Sequence, residues 1–302
     1  MDITQRDKDV IRQVARFRFL RSGQIVSLIG GSSNQVRRRL QALYHHGYLD
    51  RPRCQIDYFH RGGSRPMVYG LGSRGAALMR REFDMPFHRI VWSRKGPSEG
   101  VGRLFLEHTL MVADVLTAAE IATRGSAGNG GSGGSGGSGG HATAGMRFVA
   151  PEELTGESKK REPFHWSTTV NGRRVGLVPD GVFGIETGNS AAPKSRIICL
   201  LEADRGTMPI TRCSRHLSSI ARKLAAYTAL WKSGAFEKRF DTKRLAIFIV
   251  TTSEARAKNI AEAVEALPVG KGLFSCHALD AVVNDAGAML ARCAPQDRWR
   301  EI

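Results

Sequence analysis

Residues 175–186 have the sequence VGLVPDGVFGIE, and residues 196–207 have the sequence RIICLLEADRGT. Both are short apolar runs bounded by Gly, Asn and Pro, a pattern that predicts two buried strands joined by a loop at residues 187–194. Acidic residues interrupt or end these runs. Because an unpaired buried carboxylate is costly, we expect Asp180, Glu202 and Asp204 to meet a cation or solvent at one edge of a sheet.

A strand with Pro-Asp, a hairpin, and a second strand ending in Glu-x-Asp is similar to the core of the restriction-endonuclease-like fold, whose motif is written PD…(D/E)xK. More closely, PDGV at residues 179–182 followed by LEADRGTMP at residues 201–209 resembles the replication-relaxation family of bacterial plasmids and integrating elements. The resemblance spans nearly all of the chain apart from one linker. It implies a winged-helix DNA-binding domain fused to a restriction-endonuclease-like core.

The chain is strongly basic, with 45 Lys and Arg against 28 Asp and Glu in 302 residues, a net charge of +17. The excess is concentrated in residues 1–100, which hold 19 Lys and Arg and 8 Asp and Glu, a net +11. Such a balance favours a polyanionic partner, and we predict double-stranded DNA. The amino-terminal third is the predicted main contact surface.

The cysteines are five in number and scattered, without the spacing of zinc ligands (Cys54, Cys199, Cys213, Cys276 and Cys293). They are expected to be reduced thiols. No apolar run approaches the roughly 20 residues of a membrane helix, and the amino terminus lacks a signal peptide's apolar core. We therefore expect a cytoplasmic protein that makes no contact with a membrane, and the family resemblance implies that it is bacterial.

Helical signals dominate the amino-terminal region. Thr4 is predicted to begin a first helix, Ser22 a second short one stopped by Gly30 and Gly31, and Ser32 or Ser33 a third that ends at His45. In the third helix Val36, Leu40 and Leu43 form the predicted buried stripe. The polar residues left for DNA are Asn34, Gln35, Arg37, Arg38, Arg39 and Gln41.

A hairpin is predicted to follow the third helix, after a strand that starts near residue 47. Its arms are residues 55–60 and 67–71, its turn is residues 61–65, and a further helix spans residues 73–83. Arg61 and Arg65 at the turn suit contact with a flanking groove. The pattern resembles winged-helix proteins, so we predict a winged helix-turn-helix domain at residues 1–95. The alternative for the arginines 37–39 is an ordinary solvated helix face.

Residues 101–302 are predicted to form a restriction-endonuclease-like α/β domain with a mixed sheet. It starts with a long apolar helix from Arg103 that carries Glu107 and His108. A Gly/Ser-rich flexible loop at residues 125–145, natural or engineered, is an insertion within this domain. Beyond it come a hairpin turning at Asn171-Gly172, the acidic strand pair, a helix at residues 212–231, and two further strand–helix pairs.

The acidic residues allow two interpretations. In a nuclease, Asp180, Glu202 and Asp204, with Glu107 behind them, would hold Mg²⁺, as the resemblance implies. The family motif would place a lysine where this chain has Asp204, and Lys223 on the next helix could replace it. Alternatively, Glu202 or Asp204 pairs with Arg205, Arg215 or Arg222 in a non-catalytic ion network, which is the interpretation we favour.

Three functions remain open. The favoured one is a DNA-binding protein of a bacterial mobile element, a plasmid or an integrating element, acting in replication, relaxation and mobilisation, or transcriptional control. The second is an Mg²⁺-dependent endonuclease or nickase of the PD-(D/E)xK type, targeted by the winged helix. The third is a scaffold whose core domain recruits other proteins. Whichever function holds, the expected partners besides DNA are a second copy of the chain, in a homodimer, or other replication and mobilisation proteins.

Overall fold

The computed structural model describes residues 1–56, 65–83, 101–127, 143, 145–155, 164–187, 195–211 and 219–291, with the backbone alone for residues 125–127. The chain is α/β and divides into two compact units, Met1–Thr117 and Ala118–Ile302. This division lies inside one long helix, further along the chain than the sequence-based boundary between residues 95 and 101. The start of this helix belongs to the first unit because Leu106 and Leu110 pack with Phe19 and Val68 in a small apolar cluster.

The first unit contains the helices α1 (Gln5–Phe17), α2 (Ser22–Ile29), α3 (Ser33–His45) and α4 (Ser73–Phe83), and the first part of α5 (Arg103–Ala127). Thr4 caps α1 as predicted, because its side chain accepts from the backbone N–H of Asp7 while the Asp7 carboxylate accepts from the backbone N–H of Thr4. Helix α3 buries the predicted stripe Val36, Leu40 and Leu43. Its bounds agree with the expected start and end.

A three-stranded antiparallel sheet completes the first unit, in the order β1 (Phe19–Arg21), β3 (Val68–Leu71), β2 (Leu49–Asp50). Strand β1 was not predicted, because three residues directly after a helix show no alternation. A hairpin arm was predicted to start at Gln55. The prediction is wrong at this residue, because Gln55 ends a 3-10 turn, Arg53–Gln55. Gln55 instead binds β3 through its side-chain amide, which accepts from Val68 N–H at 2.8 Å and donates to Val68 C=O at 3.1 Å.

The second unit is built on a five-stranded mixed sheet whose strands are β4 (Met146–Val149), β7 (Gly181–Thr187), β8 (Ser195–Asp204), β9 (Leu245–Thr251) and β10 (Phe274–Ala278). The order is β10-β9-β8-β7-β4. Strands β8, β9 and β10 are parallel, while β7 is antiparallel to both β8 and β4. The mixed sheet is confirmed, and the acidic strand β8 lies at its centre.

Two further strands, β5 (Trp166–Val170) and β6 (Arg173–Leu177), form a separate antiparallel hairpin. The predicted Asn-Gly turn joins them, with φ of 50° at Asn171 and 74° at Gly172, as a two-residue hairpin requires. The run at residues 175–186 is therefore not one strand. Residues 178–180 divide it between the two sheets, because Pro179 lacks the N–H that a continuing ladder needs.

The remaining helices are α6 (Pro151–Thr155), α7 (Ile220–Lys232), α8 (Ala235–Phe240), α9 (Glu254–Glu265), α10 (Leu279–Asn284) and α11 (Ala286–Ala291). Ser219 and Ser253 cap α7 and α9 by accepting a backbone N–H. Both helices cover the face of the sheet that carries Ile198 and Leu200. The helix of the last predicted strand–helix pair, expected at residues 280–293, is wrong as a single element, since the structure breaks it at Asp285. Within the described part of the chain, no helix combines the length and apolar character needed to cross a membrane.

Candidate nucleic-acid interface and acidic centre

One side of α3 presents polar side chains to solvent. Asn34, Arg37, Arg38 and Gln41 are exposed and follow the spacing i, i+3, i+4 and i+7, which places them along one stripe of a helix. Gln35 is also exposed and borders this stripe. The structure therefore brings five of the six predicted DNA-contact residues of this helix onto an accessible surface.

Arg39 is the exception among them. Its Nε donates to Asp7 Oδ1 at 2.8 Å, its Nη2 donates to Asp7 Oδ2, and the same Nη2 donates to the backbone carbonyl of Asp2 at 3.2 Å. Asp7 is only 1% exposed. A bidentate ion pair of this kind fixes the relative orientation of its two side chains in addition to neutralising their charges. Arg39 therefore connects α3 to the start of α1.

The carboxylate of Asp7 is stabilised in its charged form. Burial alone would raise the pKa of Asp7, but the hydrogen bonds from Arg39 and from the side chain and backbone of Thr4 outweigh it, so the pKa is lowered. The hydrogen bond to Asp7 likewise raises the pKa of Arg39. The pair is ionised at neutral pH and holds α3 in one orientation on α1.

The other predicted DNA contacts lie beyond the helix. Arg65 is exposed next to β3, whereas Arg61 lies outside the described residues. Arg51, which the sequence analysis missed, lies over the rings of Tyr44 at 4.2 Å and Tyr69 at 5.2 Å. This stacking ties the end of α3 to the sheet.

A second missed contact anchors α2. Asp114 on α5 accepts hydrogen bonds from Arg21 and from Gln24, the latter at 2.8 Å. The Gln24 side chain also accepts from the backbone N–H of Arg21 at 2.7 Å. Burial raises the pKa of Asp114 although Arg21 opposes the rise. These contacts fix the start of α2, so the helices around α3 are held by paired charges.

The acidic centre of the second unit begins with Glu202 on β8, which is 5% exposed. One carboxylate oxygen accepts from Lys223 Nζ and the other from Tyr227 Oη, both at 2.5 Å. Lys223 and Tyr227 lie one turn apart on α7, so a single helix face supplies both donors. Lys223 is the residue predicted to stand in for the displaced lysine of the motif.

Burial dominates the ionisation of this cluster. It raises the pKa of Glu202, an effect that Lys223 opposes and the nearby charge of Asp180 reinforces. Burial, with the charge of Glu202, also raises the pKa of Tyr227 well above its ordinary value. For Lys223, burial would lower the pKa, but attraction to Glu202 and to the other carboxylates raises it overall. Lys223 is therefore a protonated ammonium at neutral pH, and Tyr227 remains a neutral donor.

The other two acids have their own partners. Asp204 is 8% exposed and accepts from the Thr251 hydroxyl at 2.8 Å and from Nε and Nη2 of Arg256, the latter at 3.1 Å. Asp180 accepts from the backbone N–H of Ala203 at 2.8 Å. Glu202 and Asp204 are two residues apart on β8 and so share the face covered by α7 and α9.

This geometry revises the predicted ion network. We expected Arg205, Arg215 or Arg222 as partners, whereas the structure pairs Glu202 with Lys223 and Asp204 with Arg256. Arg215 lies outside the described residues. Arg256 was missed because it is 52 residues from Asp204 in the chain, and no local pattern connects the two.

The predicted metal ligands do not form a cation site as they are arranged. Both carboxylate oxygens of Glu202 and of Asp204 accept hydrogen bonds from protein donors, including Lys223 and Arg256. Glu107, on α5, is bound by Arg103 at 2.9 Å. Across the described ranges, no three His, Cys, Asp or Glu side chains are grouped so that they could hold a metal ion. The donor set as built does not fit Mg²⁺.

Comparison with known proteins assigns the chain to a family. A model of the replication-relaxation family matches residues 11–243, most of the first unit together with the acidic centre on β8 and α7. The chain belongs to the replication-relaxation family. No curated protein and no solved structure matches it. Membership in the replication-relaxation family associates the chain with the replication and relaxation of mobile elements.

Proposed function

We propose that this replication-relaxation protein binds duplex DNA of a bacterial mobile element through the exposed side of α3, within a winged-helix domain. The observation that carries the proposal is the stripe of Asn34, Arg37, Arg38 and Gln41 on a helix whose sequence contains no acidic residue. The net +11 of residues 1–100 supports it. Accessible cations and amides on one helix are the groups that such an interface uses.

The chemistry of the stripe suits the major groove. That groove admits an α-helix, arginine can donate two hydrogen bonds to guanine, and asparagine or glutamine can bind both the acceptor and the donor of adenine. The Arg39–Asp7 pair fixes α3 on α1 before DNA arrives, so less orientational freedom is lost on binding. In this proposal Arg37 and Arg38 contact DNA, and Arg39 positions them.

The proposal is tested by replacing Arg37 and Arg38 together with Ala while Arg39 is kept. Fluorescence anisotropy with a labelled duplex gives affinity as a function of salt. Each phosphate contact contributes about 0.9 to the slope of log affinity against log salt, so loss of two contacts should flatten the slope by up to about 1.8. Specific base contacts that are lost should add a salt-independent weakening.

The matched control removes the same charge from another helix of the same unit. Arg80 and Arg81 are exposed on α4, and their double replacement with Ala should change the slope far less. Equal slopes and affinities for the wild type and for the Arg37→Ala/Arg38→Ala variant would reject the assignment.

The endonuclease alternative would require the acidic centre to act on DNA. Its lysine, Lys223, does lie on Glu202 beside Asp180, which is the observation in its favour. Since the carboxylates bind protein cations, we propose that this centre stabilises the fold of the second unit. A nicking assay on supercoiled plasmid with Mg²⁺ or Mn²⁺ decides the matter. Nicking by the wild type that is abolished by Asp180→Asn or Glu202→Gln would show that the chain is an endonuclease and would overturn our proposal for the acidic centre.

A further inference from the structure

The hairpin of β5 and β6 has one face committed to the core. It forms a two-stranded sheet separate from the central one. Trp166, Val170, Val175 and Leu177 belong to or pack against the main apolar cluster of the second unit. The ring of Trp166 lies edge-on to that of Phe236, with centroids 5.1 Å apart. This apolar face therefore holds the hairpin, called the β5–β6 ribbon below, in a fixed position.

The opposite face of the ribbon is polar, small and exposed. Ser167, Thr169, Arg174 and Gly176 are all exposed, and the pairing places Ser167 opposite Gly176 and Thr169 opposite Arg174. The guanidinium of Arg174 donates to Ser167 Oγ at 3.2 and 3.3 Å. Without bulky apolar side chains, this face does not suit burial against a protein core.

The charge of the ribbon has one sign. Residues 164–178 contain Arg173 and Arg174 and no acidic residue. Arg173 is exposed beside the turn, where Asn171 and Gly172 are exposed as well. A surface with this charge is complementary to a polyanion.

We propose that the β5–β6 ribbon is a second duplex-DNA contact, in addition to α3. The inference rests on the proposed function, that the chain binds duplex DNA. A two-stranded ribbon is one of the two elements that the major groove, about 12 Å wide, admits. Five residues at about 3.4 Å each give strands of about 17 Å, roughly half a turn of duplex. Ser167, Thr169 and Arg174 supply donors for base edges and phosphates.

The test replaces Arg173 and Arg174 with Ala in the full chain and measures duplex affinity across a salt series. Loss of two phosphate contacts should flatten the slope by about 1.8, so that a fourfold rise in salt weakens the variant roughly twelvefold less than the wild type. Thr169→Glu, an exposed position that gains a negative charge, should weaken binding without lowering the melting temperature. The paired replacement of the exposed Lys258 and Lys271 with Ala removes the same charge elsewhere in the second unit and should leave the slope nearly unchanged.

The outcomes separate this inference from the proposed function. If Arg37→Ala/Arg38→Ala flattens the slope and Arg173→Ala/Arg174→Ala does not, the ribbon assignment is overturned and the α3 assignment stands. If neither variant changes the slope, both are overturned. Unchanged DNA binding together with altered self-association in sedimentation would show that the ribbon pairs with another protein strand, and would also overturn the inference. Flattening by the ribbon variant, but not by Lys258→Ala/Lys271→Ala, supports it.

Discussion

Removal of Lys223 provides the most informative test of the acidic centre. In Lys223→Met the aliphatic stem remains, but Glu202, 5% exposed, loses the ammonium at 2.5 Å and keeps the hydrogen bond from Tyr227 Oη. Breaking a buried pair from one side costs about 3–5 kcal/mol. Because the Lys223 side chain is itself 35% exposed and partly solvated, we expect a loss of about 2–3 kcal/mol in the free energy of unfolding.

The loss should depend on pH in a definite direction. Burial already raises the pKa of Glu202 and Lys223 opposes the rise, so the variant should raise it further. A carboxyl whose pKa is higher in the folded state than in the unfolded state binds its proton more tightly in the folded state. The free energy of unfolding therefore falls as the pH rises from the unfolded pKa of Glu202 to its folded pKa. The variant should therefore recover stability as the pH falls from neutral towards the ordinary glutamate pKa of about 4.3.

Urea unfolding followed by tryptophan fluorescence measures both effects, since Trp166 and Trp231 belong to the second unit. In the thermal melt the expected loss corresponds to about 4–12 °C. Adding Glu202→Gln to Lys223→Met should restore part of the stability, because the unpaired charge is then gone. An unfolding free energy at neutral pH within about 0.5 kcal/mol of the wild type, or one that rises with pH, would refute the reasoning.

Three further predictions follow from other contacts. Because the pKa of Asp7 is lowered, its pairing with Arg39 stabilises the fold at pH values above the ordinary carboxyl pKa of about 3.9, and this stability is lost as the pH falls through the folded pKa. Asp7→Asn should therefore cost about 1–3 kcal/mol at neutral pH and make the acid-induced fall in melting temperature shallower. An unchanged dependence of the melting temperature on pH would contradict this. Gly75→Ala should lower the free energy of unfolding in urea by about 1–3 kcal/mol, because the new Cβ would lie 2.1 Å from the backbone oxygen of Tyr48. As a control, the new Cβ of Gly23→Ala on α2 meets nothing within 4 Å, so this variant should be neutral or stabilising by up to about 1 kcal/mol. Equal effects of the two variants would contradict the packing around Gly75. Halving the Gly/Ser tract should leave DNA affinity unchanged, since shortening a flexible loop changes closure entropy little, and a large loss with an intact circular dichroism spectrum would show that the tract does more than connect.

Local patterns in the sequence were sufficient to predict several elements. Helix α3 combines a serine near its start with a clear apolar stripe, and the hairpin of β5 and β6 has an Asn-Gly turn, so each is specified by neighbouring residues. The central strands β7 and β8 are apolar enough to be recognised as buried. Strands β1 and β4 were missed, because runs of three and four residues carry too little periodicity.

The partners of the charged residues could not be predicted in the same way. Arg39 looked like one of three equivalent arginines, and only the folded contact with Asp7 separates it from Arg37 and Arg38. Asp114 and Arg21 are 93 residues apart, and they meet because α5 packs beside β1. Such pairings depend on how distant elements come together, and a single sequence contains no record of that.

Site-specific photocrosslinking tests the central claim, DNA binding by the exposed side of α3, most directly. Benzoylphenylalanine is placed at position 41, where Gln41 is exposed on that side, or at position 77, where Ala77 is exposed on α4. The full chain is then irradiated with a labelled duplex. Our account predicts crosslinks from position 41 that unlabelled duplex competes away, and few from position 77. Strong crosslinking from position 77, with none from position 41 in a chain that still binds the duplex, would contradict it.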